Sequence, residues 1–304
     1  MCFHQILICA FALLAGVTLG AQQPAPTSAT PPAATSAMPQ GPIHDPVELS
    51  AYSAAMQTQD PTARAESLEA FVQQYPHTAV MTEALEEEMA AWQTAGDSSR
   101  VMRVAKRLLA LDPANIRALG IVVALDRVNA AKGDNAALNE MCVDASGGML
   151  AVPMWRRPAN MSPADYVRLS KLLNDIFIGA EGYCAVEQKN YSQAMDWLGR
   201  ALKLDPTNVQ DTYQMAVADL ESTPLDVQGF WYCARAMNLA QAAAIPQDAT
   251  SMATYCKGKY TKVHGADDGW DALVASVATE DAPPPDFAKQ IDSRLKAAPA
   301  AQQK

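Results

Sequence analysis

R-L-L-A-L-D-P-A-N (Arg107–Asn115) and R-A-L-K-L-D-P-T-N (Arg200–Asn208) are one phrase written twice in the same chain. In each copy an amphipathic run meets Asp-Pro, and a second amphipathic run begins just beyond the Asn. Pro113 and Pro206 cannot continue the helix before them, because the ring clashes with a carbonyl of the preceding turn and the N–H is missing. Asn115 and Asn208 can cap the helix that follows by accepting from its free N–H groups. A recurring helix–turn–helix phrase implies stacked units, since no unit buries its apolar face without a neighbour.

Upstream of Pro206, Gly182 stands where two helices of one unit would approach closely, Ala194 and Ala201 are small, and Leu198 between them is large and apolar. With Pro206 as closing proline, Asp175–Asn208 resembles a tetratricopeptide repeat, a unit of about 34 residues. The family's first-helix Trp and Leu are replaced here by Ile178 and Glu181. Thr82–Asn115 is a looser match that keeps Leu85, Trp92 and Pro113, with Val101 and Leu108 at the small positions and Ala105 at the large one. Asp45–Thr78, closing at Pro76, is a third. The resemblance implies an all-α, right-handed superhelical solenoid of antiparallel helix pairs over 45–245, closed by capping helices over 246–296. An ordinary helical bundle with Asp-Pro turns is the alternative.

In that family the first helices of successive units line a concave groove. The matching positions here are Ile176, Gly179, Tyr183 and Val186, then Gln210, Tyr213, Val217 and Leu220 with Gln214 adjacent, and in the earlier unit Glu83 and Glu86 with Glu87 adjacent. Members that clamp a C-terminal carboxylate use Lys, Arg and Asn at such positions, and this chain does not. The resemblance therefore implies a non-catalytic scaffold for a protein or peptide segment, with a groove acidic at one end and aromatic at the other. A segment with basic residues beside an apolar or aromatic anchor would suit it. A carbohydrate-binding solenoid, with Trp155, Trp231, Tyr183 and Tyr213 stacking on sugar rings, is the alternative.

With 304 residues, 49% of them hydrophobic and few β-branched runs, the chain suits an all-helical protein. A net charge of −10 argues against a nucleic-acid backbone or an anionic membrane surface as partner. Ile6–Leu19 is an apolar run too short to span a bilayer comfortably, and Thr18 and Gly20 suit cleavage after Gly20. It reads as a secretory signal over 1–20, so the protein is expected to be exported, periplasmic or secreted, with no membrane span after cleavage. Met1–Gln5 lacks Lys and Arg, which leaves an uncleaved anchor or a mis-assigned start as alternatives. The Ala/Pro/Thr-rich stretch over 21–44 and the tail over 297–304 are expected to be disordered.

From Asp45 the helical pattern is nearly continuous, with a breaker at each junction: Asp60-Pro61, Pro76, Gly96-Asp97, Asp112-Pro113 and Gly133-Asp134. The stretch over 144–160, with Gly147-Gly148, Pro153 and Pro158, is expected to be an irregular insertion. Ser162 then caps a helix with Pro163 at its first position.

Chemistry is sparsely signalled. The 4 histidines have no metal spacing, and neither a glycine-rich phosphate loop nor a nucleophile motif is present, so no enzyme activity and no cofactor are expected. Cys142, Cys184, Cys233 and Cys256 lie within expected helices, where cysteines pack as small hydrophobes. An oxidising compartment also permits disulfides, and Cys233 with Cys256, on consecutive helices, is the expected pair. His264–Trp270 is expected to be a turn, with Gly265 ending one helix and Asp267 or Asp268 capping the next. Glu86-Glu87-Glu88 is expected to lie on a solvated face.

Overall fold

Short polar side chains decide where the helices begin. In the computed structural model, which describes residues 43–159, 161–277, 280, 282–289 and 291, Asp45 and Asp60 accept from the N–H groups of Val47 and Ala63 at 2.8 Å. Each has Pro at the next position, and together they open α1 (Pro46–Gln57) and α2 (Pro61–Gln74). Helix α3 (Met81–Ala95) stops at Gly96, whose φ of 77° is the left-handed conformation that glycine adopts without cost. Asp97 then caps α4 (Ser98–Leu111).

The twice-written phrase folds into the same turn twice. Asp112 accepts from the Ala114 N–H at 3.0 Å, and Asn115 accepts from the Ala118 N–H at 3.0 Å to start α5 (Ile116–Ala130). In the second copy Asp205 accepts from Thr207 at 2.9 Å, ending α8 (Tyr191–Leu204), and Asn208 accepts from Asp211 at 3.1 Å, starting α9 (Val209–Glu221). Between these lie α6 (Asn135–Ala151), a 3-10 turn (Val152–Met154) and α7 (Pro163–Glu187). The described chain ends with α10 (Gly229–Ala242), α11 (Pro246–His264) and α12 (Trp270–Ser276), followed by a short piece over 280–291. No strand occurs among the described residues.

Each helix packs on its chain neighbour as far as α11, while α12 packs on α10. Helix α7 also touches α5 and α9, so odd-numbered helices lie side by side there. The core follows this order: buried clusters run from Ile43 to Cys184, through Ala185–Ala218, and from Val209 to Ile291. Polar contacts repeat at a fixed interval. Arg100 to Glu66, Lys106 to Glu140 and Tyr255 to Glu221 each join residues separated by 34 positions. The two exposed ion pairs among them, Arg100 to Glu66 and Lys106 to Glu140, add little stability. They do mark the period of the stack, a neighbour-to-neighbour helical solenoid.

Gly182 sits where the helices of one pair meet. A Cβ there would lie 2.6 Å from Leu198 Cγ, and Leu198 is fully buried. The expected irregular insertion over 144–160 is corrected in its first half: Asp144–Ala151 is helical and extends α6. Gly148 presents bare backbone to the Phe177 ring, and that packing offsets the intrinsic helix cost of two glycines. Helix α7, 25 residues against 14 for α8, supplies the surface on which this extension rests. The disulfide Cys142–Cys184 ties the same pair together, with Cα atoms 5.9 Å apart. The expected signal over 1–20, the linker over 21–44 apart from residues 43 and 44, and the tail over 297–304 lie outside the described residues.

Candidate functional site

Four odd-numbered helices build one cleft of about 320 Å³. Helix α5 contributes Arg127, with Ala131 just beyond its end, and α7 contributes Tyr183. Helix α9 presents Gln210, Tyr213 and Gln214, and α11 presents Asp248, Ser251 and Met252. Both triplets follow the i, i+3, i+4 spacing that puts side chains on one helix face. Asn208 fixes the start of α9, and with it which residues of α9 turn toward the cleft.

The aromatic walls are held from behind. Tyr183 is buried, and the Arg127 guanidinium lies 5.8 Å from its ring centroid. The half-buried Tyr213 ring meets Tyr255 edge-on at 6.1 Å, and the Tyr255 hydroxyl donates to Glu221 at 2.7 Å. Burial raises the Tyr183 and Tyr213 phenols above their ordinary value, so both remain neutral hydrogen-bonding groups.

Beneath the cleft lies a buried charge cluster. The Arg127 side chain is 11% exposed and pairs at 2.5 Å with Asp211, which is fully buried. Gly179 makes room for this pair: a Cβ there would lie 2.7 Å and 2.8 Å from the Asp211 oxygens and 3.0 Å from Arg127 Nη1. Asp175 is close by. Burial and the Asp211 charge push its carboxyl up to about 7, against the opposing pull of Arg127. Asp175 Oδ1 and Asp211 Oδ2 are buried with no hydrogen-bond partner among the described residues. Arg127 pairs with Asp211, while Asp175 feels that guanidinium, like Lys171, only at longer range.

Of the residues nominated from sequence, Tyr183, Gln210, Tyr213 and Gln214 meet in this cleft. Val186 and Leu220 belong to the core instead. Glu83, Glu86 and Glu87 lie elsewhere, on α3. Glu87 pairs with Arg64 at 2.5 Å, while Glu86 accepts from Asn115 at 2.8 Å and faces Arg117 at 3.7 Å. Two of these three carboxylates are thus balanced by the protein's own cations, and only Glu83 is exposed without a cation at ion-pair distance among the described residues. Glu88 is a correction: it is fully buried, receives the Trp92 Nε1–H at 3.4 Å, and lies 3.7 Å from Arg107. Burial pushes its carboxyl up to about 7.

Sequence reasoning missed Arg127 and Asp248. Arg127 carried a usable signal, since Asp126-Arg127 interrupts an otherwise apolar stretch of α5. Asp248 carried none, because α11 was expected to cap the stack, whereas it forms one wall of the cleft. Cys233 and Cys256 are joined by a disulfide, and the Cys142–Cys184 pair was not foreseen. Trp231 is fully buried, and Trp155 packs on Tyr166 at a centroid distance of 4.8 Å. Only Tyr183 and Tyr213 of the four suggested sugar platforms therefore face the cleft. His264–Trp270 forms a turn: Gly265 (φ 88°) ends α11, His264 stacks on Tyr260 and Trp270 is buried. The expected cap is corrected, since Gly269 (φ 84°) and neither Asp267 nor Asp268 stands at the start of α12, without a side-chain cap.

Among the described residues no group of three His, Cys, Asp or Glu is placed to hold a metal ion, and no helix is long and apolar enough to cross a membrane. Compared with protein-family models, with characterised proteins and with solved structures, the chain matches none.

Proposed function

We propose that this protein is a non-catalytic binding scaffold of the right-handed tetratricopeptide-like kind, which holds a protein or peptide segment along the side built by its odd-numbered helices. The observation that carries this is the cleft assembled from α5, α7, α9 and α11, with Tyr183, Gln210, Tyr213 and Gln214 on its walls. Two half-supported aromatic rings and two amides suit an extended backbone, whose N–H and C=O groups need partners and whose side chains need an apolar seat. Two disulfides among the four described cysteines favour an exported protein in an oxidising compartment.

Selection of peptides from a displayed library against the full chain tests the proposal, with an oligosaccharide array run in parallel. Selected peptides should lose about tenfold or more in affinity on Tyr213→Ala, as expected when a central aromatic contact is removed. Peptides that bind the variant as they bind the parent would overturn the cleft as the binding site. Selective capture of oligosaccharides with no peptide selected would overturn the peptide assignment.

A further inference from the structure

The charges around the cleft are unevenly matched. Its only lining cation among the described residues, Arg127, is already committed to Asp211 at 2.5 Å, and Asp175 adds a second carboxyl beside the pair. Asp248 stands on the opposite wall, in the first turn of α11, with no cation at ion-pair distance among the described residues. An anionic ligand would have to draw Arg127 away from the buried Asp211 carboxylate, or bring a further negative charge beside Asp211 and Asp175. Either costs far more than a cation would, because charges in such a setting are poorly screened. A cation adds the positive charge that this cluster lacks.

Shape and surface narrow the ligand further. A volume of about 320 Å³ is at the small end for ligand sites and suits one long side chain better than a threaded helix or strand. Met252 and the Tyr213 ring offer an apolar passage for a methylene stem. Gln210, Gln214 and the Ser251 hydroxyl offer acceptors, and an aromatic face attracts a cation electrostatically. The Arg127 guanidinium near the Tyr183 ring is an internal instance of that attraction.

We propose that the cleft takes a primary ammonium or guanidinium group on an apolar stem, presented by a Lys or Arg side chain of the bound segment, with Asp248 as counter-ion and Tyr213 as wall. This rests on the peptide-binding reading above and names what the cleft selects. Partial burial raises the Asp248 carboxyl from its ordinary value.

Nuclear magnetic resonance titration of the full chain provides the test. The probes are acetyl-lysine methylamide, the uncharged acetyl-norleucine methylamide, acetyl-glutamate methylamide and n-butylammonium. The lysine probe should shift the amide signals of Tyr183, Gln214 and Ser251, the norleucine probe should bind more weakly, and the glutamate probe should not bind there. Asp248→Asn should weaken the lysine probe about fivefold, the scale of one partly exposed ion pair. Equal binding of the lysine and norleucine probes, tighter binding of the glutamate probe, or an unchanged affinity in Asp248→Asn would overturn the proposal. Butylammonium binding as well as the lysine probe would support the chemistry with a free amine as its source, whereas preference for the lysine probe would support a peptide source. Library-selected peptides that need Tyr213 but no basic residue would sink this inference and leave the peptide-binding reading standing. Cation binding without any selected peptide would overturn the peptide-binding reading and with it the Lys or Arg source, leaving only the cleft's preference for a cation.

Discussion

Gly147 and Gly148 stand side by side in α6, and alanine should stabilise the protein at one and destabilise it at the other. A Cβ on Gly147 meets nothing within 4 Å, so Gly147→Ala should gain the helix-propensity difference of about 1 kcal/mol. Gly148→Ala earns the same local gain but places its Cβ 2.4 Å, 2.5 Å and 2.6 Å from the Cε1, Cζ and Cδ1 atoms of Phe177. That ring is fully buried, so it cannot escape the added methyl by turning into solvent. Overpacking costs about 1–3 kcal/mol, and contacts this short belong at the upper end, so the net loss should be about 2 kcal/mol. For a chain of this size each kcal/mol moves Tm by about 2–4 °C, so the two variants should melt about 3 °C above and about 6 °C below the parent. Circular dichroism melts under non-reducing conditions would read this. If both variants rise, Phe177 does not rest on Gly148; if both fall, Gly147 is not in an open helical position and α6 ends early.

Buried acids should make the protein less stable as pH rises. Burial raises the carboxyls of Asp126 to about 6, Glu88 and Asp175 to about 7 and Asp219 to about 8. A folded pKa above the unfolded value means that the native state holds the extra protons, so stability fully present below about pH 4 falls as pH rises, and the loss is complete once pH has passed the folded values of about 6 to 8. Calorimetry at pH 5.5 and 8.5 should show a lower Tm at the alkaline end, and Asp219→Asn should flatten the upper part of the fall; a Tm that rises over this range would refute the assignment. Arg127→Met should cost about 3–5 kcal/mol by leaving Asp211 as an uncompensated buried charge, and adding Asp211→Asn should recover much of it. Urea melts of the single and double variants check this, and additive losses would show that the two side chains do not act as a pair.

Much of the architecture was legible because its determinants are local. A proline after Asp stops a helix, and an Asn a short step later starts the next, whatever surrounds them. Gly182, Ala194, Leu198 and Ala201 also announced a close helix crossing, since only a small residue facing a large one permits it. The extension of α6 through Gly147-Gly148 was not legible. Two adjacent glycines argue against a helix on propensity alone, and what overrides them is Phe177, a ring on a different helix. The same holds for Glu88, whose place in a run of three glutamates suggests solvent, while Trp92 and the surrounding helices bury it.

By itself the sequence determined most of the helices, their capped and proline-marked breaks and the repeated turn of the stack, because capping, proline geometry and apolar periodicity act over a few residues. It also nominated Tyr183, Gln210, Tyr213 and Gln214. Only the tertiary structure decided which charges meet. Arg127 and Asp211, 84 positions apart, become an ion pair beneath the cleft, and Asp248 reaches the cleft from a helix expected to close the stack. Electrostatic pairing depends on distance in space and on burial, and neither can be read from spacing along a chain.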